Sequence, residues 1–546
     1  MKLFITTSGI GSRLLDLTKY TNKAMIKIGK RPVISYIIDS YPKDFDLVIS
    51  LGYHGDHIKQ YLSMAYPDRN ITYVEVDKYE GEGTSQVYSQ LHAEKYLQEP
   101  FIYNDCDTIV ENLQNQIPMK FDYNFIVGYE TNSDLYDSFD YDVSSKANDG
   151  SYKLINTYAR PNSLAGMLAY IGIAGIYDYK TFWKTLHVAY ENGDWKKLSD
   201  FFVYDKYKMF NDLRAIKVDN WIDTGSIAGV NEARKKISDK FLILDKNDQG
   251  IFIINNKVIK FFARDSVVDN LMKHYKSIEK FCTPIVEYSK NFISYNFIDA
   301  EDAIDNMTPI KFRNMLYYFK DEGLWEEQSE LNIDMFYNEK NKFYIDKTKE
   351  RLKDLIEKYK IDDNKDIYIN DVFIPKEYSI ENMLNCFSKT NQYATYHKLT
   401  NWHGDFVLDN MLYDYKNNKY ILLDWREKFG SYVEYGDRIY DFAKMNHNLT
   451  FNFKSACNGL FNINEIDDNK VYVNILCNNY VHECKDILKE FLLNNYHLDF
   501  NYIEFLTGLC WVNMSPLHGQ PMCKLLYYMG KLTMYQSLKK LIKSNI

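Results

Sequence analysis

The chain has 546 residues, which is too many for a single hydrophobic core, so we expect two or three domains. Hydrophobic residues make up 46% of it and charged residues 26%, a composition typical of folded globular proteins and not of disordered ones. The formal net charge of −9 argues against a surface that coats nucleic acid, because such a surface needs basic patches that neutralise phosphates.

The sequence contains no apolar run of the roughly 20 residues that a membrane span requires, and its N-terminal stretch lacks the apolar segment of a signal peptide. The eight cysteines form no C-x-x-C pair, and they are too dispersed for a disulfide framework or a zinc site. We therefore expect a cytoplasmic protein whose partners are small-molecule substrates, without a nucleic acid or a membrane. The sequence indicates no oligomeric state.

The chain changes its pattern of elements between residues 236 and 240. Before that point, apolar strand-like runs such as KLFITTS and PFIYNDCD alternate with helical patterns such as PVISYIIDSY, which predicts an α/β domain with a mostly parallel sheet. After it come short antiparallel strands and one helix, and then a mostly helical region. We therefore predict domains at residues 1–236 and 237–546, the second with a small lobe near 240–300 and a large lobe near 301–546.

The first predicted strand runs into the loop SGIGSR at residues 8–13. Its two glycines allow a tight turn that presents backbone N–H groups to phosphate oxygens, and Arg13 adds a cationic donor fork. Leu14 stands where a dinucleotide-binding loop needs a third glycine, and the chain contains no Walker loop. The loop therefore predicts a nucleotide-phosphate site of another class, formed by Gly9, Gly11, Ser12 and Arg13.

This loop and the following segment NKAMIKIGKRPVISYII resemble the nucleotidylyltransferases of sugar 1-phosphates and phosphocholine, whose pattern reads G-x-G-[ST]-R-(L/M) and then P-K. The resemblance implies a GT-A type, Rossmann-like sheet with helices on both faces. It makes Lys23 the lysine that binds the substrate phosphate, although Asn22 stands in place of the usual proline. The segment GEGTS matches the family's loop against the nucleobase, which makes Gly83 a nucleotide-binding residue.

Two further segments match the metal-binding aspartates of this family in the right order. FIYNDCD carries Asp105 and Asp107 at the end of a predicted buried strand, and NWIDTGS reproduces the family's W-x-D-T-G with Asp223. Carboxylates from two strand ends can hold a Mg²⁺ ion between the α-phosphate and an incoming phosphate. The resemblance therefore implies Mg²⁺ bound by these three aspartates, with Arg13 and Lys23 as catalytic cations.

One segment departs from the family pattern. In TYARPNSLAGMLAYIGIAGIYDY, Arg160 replaces a lysine that contacts phosphate, and Ala159 replaces a glutamate that often contacts a sugar. The resemblance implies that Arg160 still binds the substrate phosphate, but the change at Ala159 argues against a conventional hexose substrate. The loop is compatible with CTP, which we favour as the nucleotide, and UTP, GTP and dTTP stay open.

A second candidate site occurs in the C-terminal half. HGDFVLDN contains His403, Asp405 and Asn410, and ILLDW contains Asp424, fourteen residues after Asn410. This spacing fits a phosphotransferase in which one aspartate accepts the proton of the substrate hydroxyl. An asparagine and a second aspartate would then hold Mg²⁺ on the phosphates of ATP.

These two motifs resemble the aminoglycoside phosphotransferase and choline kinase group, which uses H-G-D-x-x-x-x-N and (I/L)-D-(W/F). The resemblance implies a protein-kinase-like, two-lobed α+β domain. It makes Asp405 the catalytic base and Asn410 and Asp424 the Mg²⁺ ligands. The strand NKVIKFF makes Lys260 the lysine on the ATP phosphates, with Lys257 as a competitor that we expect to face solvent.

Other residues of this half help to define the expected site. In YGDRIYDFAK, Asp437 and Asp441 are expected to brace the catalytic loop. Arg426 in DWREKFG departs from choline kinases, whose segment reads D-(F/W)-E-Y, and this argues against choline as the acceptor. His518 either lines the acceptor pocket or packs among helices.

Together the motifs predict a bifunctional enzyme. The C-terminal domain would phosphorylate a sugar, a polyol or an amino alcohol with ATP, and the N-terminal domain would then transfer a nucleotidyl group from a second NTP to that phosphate. Such a product would be an activated precursor for decorating surface polysaccharides or glycans. Two alternatives stay open: the domains act on unrelated substrates, or one domain is a non-catalytic nucleotide-binding regulatory module.

Overall fold

The structure is a computed structural model that describes residues 1–131, 136–158, 160–161, 166–193, 201–207, 212–237, 248–305, 307–328, 332–477 and 480–543. The contacts between residues divide the chain into two compact units. Unit 1 comprises Met1–Asp265 and Ile285–Phe297, and unit 2 comprises Ser266–Pro284 and Ile298–Ile546.

Unit 1 is an α/β structure. Its described strands are β1 (Lys2–Thr6), β2 (Lys27–Ile28), β3 (Arg31–Pro32), β4 (Asp46–Leu51), β5 (Ile71–Glu75), β6 (Phe101–Asp105), β7 (Thr108–Ile109), β8 (Asn124–Tyr129), β9 (Ser138–Asp142), β10 (Ser151–Tyr158), β11 (Leu168–Ile176), β12 (Leu213–Lys217), β13 (Ile222–Asp223), β14 (Gln249–Ile254), β15 (Lys257–Phe262), β16 (Ile285–Tyr288) and β17 (Phe292–Asn296). Its described helices are α1 (Val33–Asp39), α2 (Gly55–Ala65), α3 (Gln86–Leu91), α4 (Tyr179–Glu191), α5 (Phe201–Tyr207) and α6 (Ile227–Lys236).

Among these elements, nine strands form one sheet in the order β5-β4-β1-β6-β11-β8-β12-β10-β9. β5, β4, β1 and β6 are parallel neighbours, and β8 is parallel to β12. β11 is antiparallel to β6 and β8, and β10 is antiparallel to β12 and β9. Seven of the nine strands therefore run in one direction and two run against it, which confirms the prediction of a mostly parallel sheet.

Helices cover both faces of this sheet, as the sequence analysis predicts. Because side chains alternate along a strand, Leu3 and Ile5 of β1 enter one core while Phe4 enters the other. The first core contains apolar residues of α1, α2 and α6, and the second contains those of α3, α4 and α5. The sheet is therefore buried on both sides, and its polar residues collect where the strands end.

A small antiparallel sheet, in the order β14-β15-β17-β16, belongs to unit 1. Phe252, Phe261 and Phe292 of this sheet join the same core as α2, and the rings of Phe261 and His57 lie 4.8 Å apart. The unit therefore extends beyond the predicted boundary at 236 and 237, because the apolar face of the small sheet is buried there. That boundary stays a prediction, and the strand expected just after residue 240 lies outside the described residues.

Unit 2 is mostly helical. Its described helices are α7 (Val267–Ile278), α8 (Pro309–Asp321), α9 (Ile333–Asn341), α10 (Lys347–Tyr359), α11 (Ile380–Phe387), α12 (Asn391–Thr395), α13 (Arg438–Thr450), α14 (Phe453–Cys457), α15 (Tyr480–Tyr496), α16 (Phe500–Met514) and α17 (Met522–Lys543). Its described strands are β18 (Glu301–Asp302), β19 (Ile367–Ile369), β20 (Val372–Ile374), β21 (Met411–Asp414), β22 (Lys419–Leu422), β23 (Phe461–Asp467) and β24 (Lys470–Ile475).

The predicted hairpin near the second motif is present as β21 and β22. The sequence analysis missed a sheet in the order β20-β19-β24-β23. Its strands are short or mostly exposed, so their apolar periodicity is weak. A turn signal is nevertheless present, since Asn370 and Asp371 join β19 to β20 with φ angles of 49° and 60°.

α16 forms the centre of unit 2 and packs against α13 and α17. It is buried along most of its length, and Gly508 lets it approach α17 closely, since a Cβ atom there would lie 2.8 Å from the carbonyl oxygen of Gly530. No helix within the described ranges combines the length and apolarity needed to cross a membrane.

We predict that Phe261→Ala destabilises unit 1 by about 3–5 kcal/mol, because it leaves a cavity between the small sheet and α2. Hydrogen exchange of the α2 amides should become faster in this variant. Tyr288→Ala on β16 is the matched control, because Tyr288 is 57% exposed and its removal should cost little. Unchanged exchange of α2 in Phe261→Ala would show that the small sheet does not stabilise this core.

Candidate active sites

The loop that follows β1 is built as the sequence predicts for a phosphate site. Gly11 has φ 68°, a left-handed conformation that glycine adopts easily, and it precedes a 3₁₀ turn at Ser12–Thr18. Gly9, Ser12 and Arg13 are exposed, so the loop is open to a ligand. Its start is anchored because the hydroxyl of Ser8 donates to the hydroxyl of Ser89 on α3 over 2.7 Å.

Asp105 ends β6, beside Thr6 at the end of β1. Its Oδ1 atom accepts hydrogen bonds from the side chains of Thr6, Tyr103 and Gln86. Burial, followed by the nearby charge of Asp107, raises the pKa of Asp105 to about 7. Gly172 of β11 presses against this side chain, since a Cβ atom on Gly172 would clash with Asp105 Oδ2. Asp105 is therefore held in one orientation.

Asp107 and Lys23 form the central ion pair of this site. Lys23 Nζ donates to Asp107 Oδ2 over 3.0 Å, and both side chains are largely buried. Burial raises the pKa of Asp107, but the ammonium group of Lys23 outweighs burial and lowers that pKa below its usual value. Burial lowers the pKa of Lys23, but Asp107 outweighs it and leaves this pKa raised. Both groups are therefore charged at neutral pH.

Asp223 lies near Asp107 because β13 pairs with β7. In this pairing Asp223 lies opposite Thr108, the residue after Asp107. Its Oδ1 accepts from the N–H of Gly225 over 2.7 Å, and its Oδ2 accepts from the hydroxyl of Tyr136 over 2.9 Å. Burial, followed by the charge of Asp107, raises the pKa of Asp223.

Gly225 marks the point where the predicted residues converge. A Cβ atom placed on Gly225 would lie 2.9 Å from Asp107 Oδ2, 3.0 Å from Asp223 Oδ1 and 3.2 Å from Arg13 Nη2. Two carboxylates and a guanidinium group from three separate segments therefore border one small space. The residue there must lack a side chain for that space to stay open.

The donor set at this point suits Mg²⁺. Among the described residues, no group of three or more His, Cys, Asp or Glu side chains is placed to hold a metal ion. Mg²⁺ is commonly bound by one or two carboxylates together with substrate phosphates, and Asp107 and Asp223 supply such a pair. We therefore expect metal binding here to require the nucleotide.

No described contact joins the remaining predicted residues of unit 1 to the acidic cluster. Gly83 has φ 91° and lies three residues before Gln86, which contacts Asp105. Arg160 follows β10, is exposed and has φ 41°, and no contact with another described residue joins it to the acidic cluster. Ala159 lies outside the described residues. The roles of Gly83 and Arg160 stay predictions.

Asn22 has a structural role that sequence reasoning missed. Its side-chain amide donates to the carbonyl oxygens of Thr7 and Tyr53, over 2.7 and 2.6 Å, and its Oδ1 caps the turn that carries Lys23. The residue that replaces the family's proline therefore ties Lys23 to the end of β1. Gln86 and Tyr136 were also missed. Gln86 directly follows the predicted segment GEGTS, whereas Tyr136 lies far from every predicted site segment.

In unit 2, Asp405 forms an ion pair with Lys444 of α13, with Oδ1 and Nζ 2.8 Å apart. Burial raises the pKa of Asp405, but Lys444, Arg426 and His403 outweigh it and lower the pKa to about 2. Asp405 is therefore ionised, as a base that accepts a hydroxyl proton must be. Sequence reasoning missed Lys444, although it lies three residues after Asp441 in a segment that we singled out.

Asp441 braces the turn that carries Asp405, which confirms the expected role. It accepts from the N–H groups of His403 and Gly404, over 2.8 and 2.7 Å, and from the indole of Trp325 over 3.1 Å. Asp437 instead caps α13 through the N–H of Ile439. The ring of His403 contacts the carbonyl oxygen of Leu423 at 2.9 Å and so joins this turn to the hairpin.

Asn410 lies between Asp405 and the segment that carries Asp424. Its side-chain amide donates to the carbonyl oxygen of Asp405 over 3.0 Å, and its own carbonyl oxygen accepts from the N–H of Leu423 over 2.9 Å. Asp424 is the residue directly after Leu423; it is exposed and has a φ angle of 57°. A non-glycine residue in this conformation is strained, and such strain is concentrated at functional sites.

Lys260 and Lys257 of β15 differ in burial and in their partners. Lys260 is buried, and its Nζ lies 5.3 Å from the centre of the Tyr295 ring. Lys257 is partly exposed, donates to the carbonyl oxygen of Met64 over 3.0 Å and pairs with Glu287. Lys260 is thus the more buried of the two lysines, which is uncommon for this residue type. Its contact with ATP stays a prediction.

We predict that Gly225→Ala lowers the nucleotidyl transfer implied by the motifs at least 100-fold while changing stability little. The new methyl group would fill the space between Asp107, Asp223 and Arg13, and several kcal/mol of metal-dependent stabilisation would be lost. Pyrophosphate release and thermal unfolding report the two effects. Gly519→Ala, at a site with open space around it, is the control. Full activity of Gly225→Ala would contradict this placement of the site.

We predict that Asp441→Asn destabilises unit 2 by about 1–3 kcal/mol, because the amide nitrogen cannot accept a hydrogen bond and leaves one buried N–H group unpaired. Urea unfolding measures this cost. Asp354→Asn, at an exposed position of α10, should leave the free energy of unfolding unchanged. Equal stability of the two variants would contradict the bracing role.

The N-terminal half of the chain matches solved structures of nucleotidylyltransferases. A UDP-glucose pyrophosphorylase complexed with UDP-glucose is 17% identical, and the match covers 43% of this chain and 97% of that chain with a TM-score of 0.37. CTP:phosphocholine cytidylyltransferase LicC from Streptococcus pneumoniae is 17% identical, with 43% and 99% covered and a TM-score of 0.35. HddC from Yersinia pseudotuberculosis is 20% identical, with 43% and 98% covered and a TM-score of 0.33.

No protein-family model matches the chain, and no curated sequence is similar to it.

Proposed function

We propose that the chain is a bifunctional enzyme whose C-terminal part phosphorylates a small hydroxyl compound with ATP and whose N-terminal part transfers a nucleotidyl group to that phosphate. The observation that carries the proposal is the convergence of Asp107, Asp223 and Arg13 on Gly225, with Lys23 paired to Asp107. Carboxylates and cations from distant segments of the chain lie together at one end of a sheet, where they could bind the phosphates of a nucleotide.

In the nucleotidyl-transfer step, an oxygen of the substrate phosphate attacks the α-phosphorus of the NTP and the bond to pyrophosphate breaks. Arg13 and the loop at residues 8–13 would hold the phosphates of the NTP, and Lys23 and Arg160 would bind the substrate phosphate. Asp107 and Asp223 would hold Mg²⁺, which would neutralise charge on the reacting phosphates. Most of the rate would come from positioning and charge, because no covalent intermediate is needed.

In the phosphorylation step, the oxygen of the acceptor hydroxyl would attack the γ-phosphorus of ATP, and the bond from that phosphorus to ADP would break. Asp405 would accept the proton of the hydroxyl. Its ion pair with Lys444 keeps it ionised and oriented. Asn410 and Asp424 would hold Mg²⁺ against the ATP phosphates. The hydrogen bonds that join Asn410 to Asp405 and Leu423 support this division of roles.

The two steps form a series if the phosphate made by the second site is the substrate of the first. The product would then be an NDP-activated compound, with CTP as the favoured donor, that can feed the decoration of a surface polysaccharide or glycan. Tethering the two activities raises the local concentration of the phosphorylated intermediate.

We predict that Asp405→Asn abolishes pyrophosphate release when the free hydroxyl compound, ATP, CTP and Mg²⁺ are supplied, yet leaves it intact when the phosphorylated compound is supplied. Loss of a general base typically costs about 10²–10⁴-fold in rate. Asp223→Asn should abolish pyrophosphate release under both conditions, because it removes a metal ligand. Asp334→Asn, at an exposed position, is the control.

Separate outcomes distinguish the alternatives. If Asp405→Asn leaves pyrophosphate release from the free compound intact, the two parts do not act in series. If no ADP forms in the wild type with any acceptor, the C-terminal part is a binding module. If Asp223→Asn keeps full activity, the metal assignment is wrong.

A further inference from the structure

Cationic side chains gather beside Asp405 in unit 2. The guanidinium carbon of Arg426 lies 5.1 Å from the centre of the Phe343 ring, and Lys347 Nζ lies 4.8 Å from the same centre. Arg426 also donates to the hydroxyl of Tyr440 over 3.3 Å. Lys444, one helical turn after Tyr440 on α13, pairs with Asp405. Two cations thus lie within about 5 Å of the Phe343 ring centre, close to the proposed catalytic base.

The charges of this cluster are not balanced. Within the described ranges, Asp405 is the carboxylate that pairs with Lys444, while neither Lys347 nor Arg426 has a carboxylate within ion-pair distance. Arg351 follows Lys347 by one turn of α10 and adds a further cation. Burial, followed by the charges of Arg426, Arg351 and Lys444, lowers the pKa of Lys347 to about 7. Lys347 is therefore only partly protonated at neutral pH, and an anion bound beside it would favour its charged form.

Unpaired polar atoms accompany the cations. His447 lies one turn after Lys444 on α13, is 5% exposed, and has no hydrogen-bond partner at either ring nitrogen among the described residues. Asn513 of α16 donates to the hydroxyl of Thr348, next to Lys347, but its buried Oδ1 has no partner there. Buried polar atoms in proteins nearly always make hydrogen bonds. The unpaired atoms of His447 and Asn513 therefore indicate a polar ligand or ordered water in this region.

We propose that the compound phosphorylated at Asp405 is an anionic hydroxy compound, whose carboxylate or phosphate group binds between Arg426 and Lys347 while its hydroxyl faces Asp405. The inference rests on the proposed kinase activity and narrows its substrate class. The hydroxyl oxygen bonds to the γ-phosphorus of ATP, the bond from that phosphorus to ADP breaks, and the proton passes to Asp405. An amino alcohol is disfavoured, because its ammonium group would meet several cations and one carboxylate.

The first experiment compares acceptors of matched shape and different charge. With the full chain, ATP and Mg²⁺, ADP formation is measured for D-glycerate, L-glycerate and glycerol 3-phosphate, for neutral glycerol, and for cationic ethanolamine and choline. We expect kcat/KM to be at least ten times higher for an anionic compound than for glycerol, and lowest for the cations. If glycerate is preferred over glycerol 3-phosphate, the bound anionic group of the acceptor is a carboxylate. If glycerol 3-phosphate is preferred, that group is a phosphate.

The second experiment removes one cation. Lys347→Met should raise the KM for the anionic acceptor about 10–100-fold, the usual effect of losing a charge-assisted hydrogen bond, and leave the KM for ATP unchanged. Lys347→Arg should recover part of the loss. Lys353→Met is the control, because Lys353 is exposed on the same helix. Thermal stabilisation of the full chain by D-glycerate, L-glycerate or glycerol 3-phosphate, compared with glycerol, tests binding without turnover.

Three results would overturn the inference: a neutral or cationic compound that is the better acceptor, a Lys347→Met effect on the KM for ATP instead of the acceptor, or the absence of both turnover and stabilisation with all three anions. Failure of the proposed kinase activity is recognised separately. In that case no acceptor of any charge would yield ADP above the level of Asp405→Asn, while the thermal shifts would still report whether the anions bind.

Discussion

The ion pair between Lys23 and Asp107 is the interaction on which the N-terminal site depends. Three carboxylates come together where strands of the main sheet end, and in a partly buried place they would repel one another. Lys23 compensates the negative charge of these carboxylates. Asn22, the residue before Lys23, holds this segment in position by a hydrogen bond to the backbone at the end of β1. The burial that makes the carboxylates strong ligands is thus tolerated because a cation is built in beside them.

Buried carboxylates in the C-terminal site are also compensated by nearby donors, but the sum of charges differs from that of the N-terminal site. Asp405 is compensated by Lys444, and Asp441 by backbone N–H groups and an indole, so each buried carboxylate has its donors. Beyond this, Arg426 and Lys347 leave positive charge in excess. In the first site, carboxylates beside paired cations suit a metal ion with phosphates, and in the second the excess charge is positive and suits an anion.

The elements that the sequence predicted well are those with strong local signals. Long apolar strands such as β1 and β6, and the turn SGIGSR, have patterns that few other structures accommodate. The sheet built from β19, β20, β23 and β24 escaped prediction, because its strands are short and much of their surface is exposed. The placement of β14 to β17 with unit 1 also could not be read from the chain, since it depends on which apolar face meets α2.

The sequence by itself determined the residue types of both sites, because Arg13, Lys23, Asp223, Asp405 and Asn410 stand in motifs whose spacing reflects their chemistry. It also determined the α/β and mostly helical character of the two parts, since apolar periodicity is local. Only the tertiary structure decided what surrounds those residues. The pairing of β7 with β13, the approach of Lys444 to Asp405 and the space at Gly225 join segments far apart in the chain. Such contacts depend on packing, which no local pattern encodes.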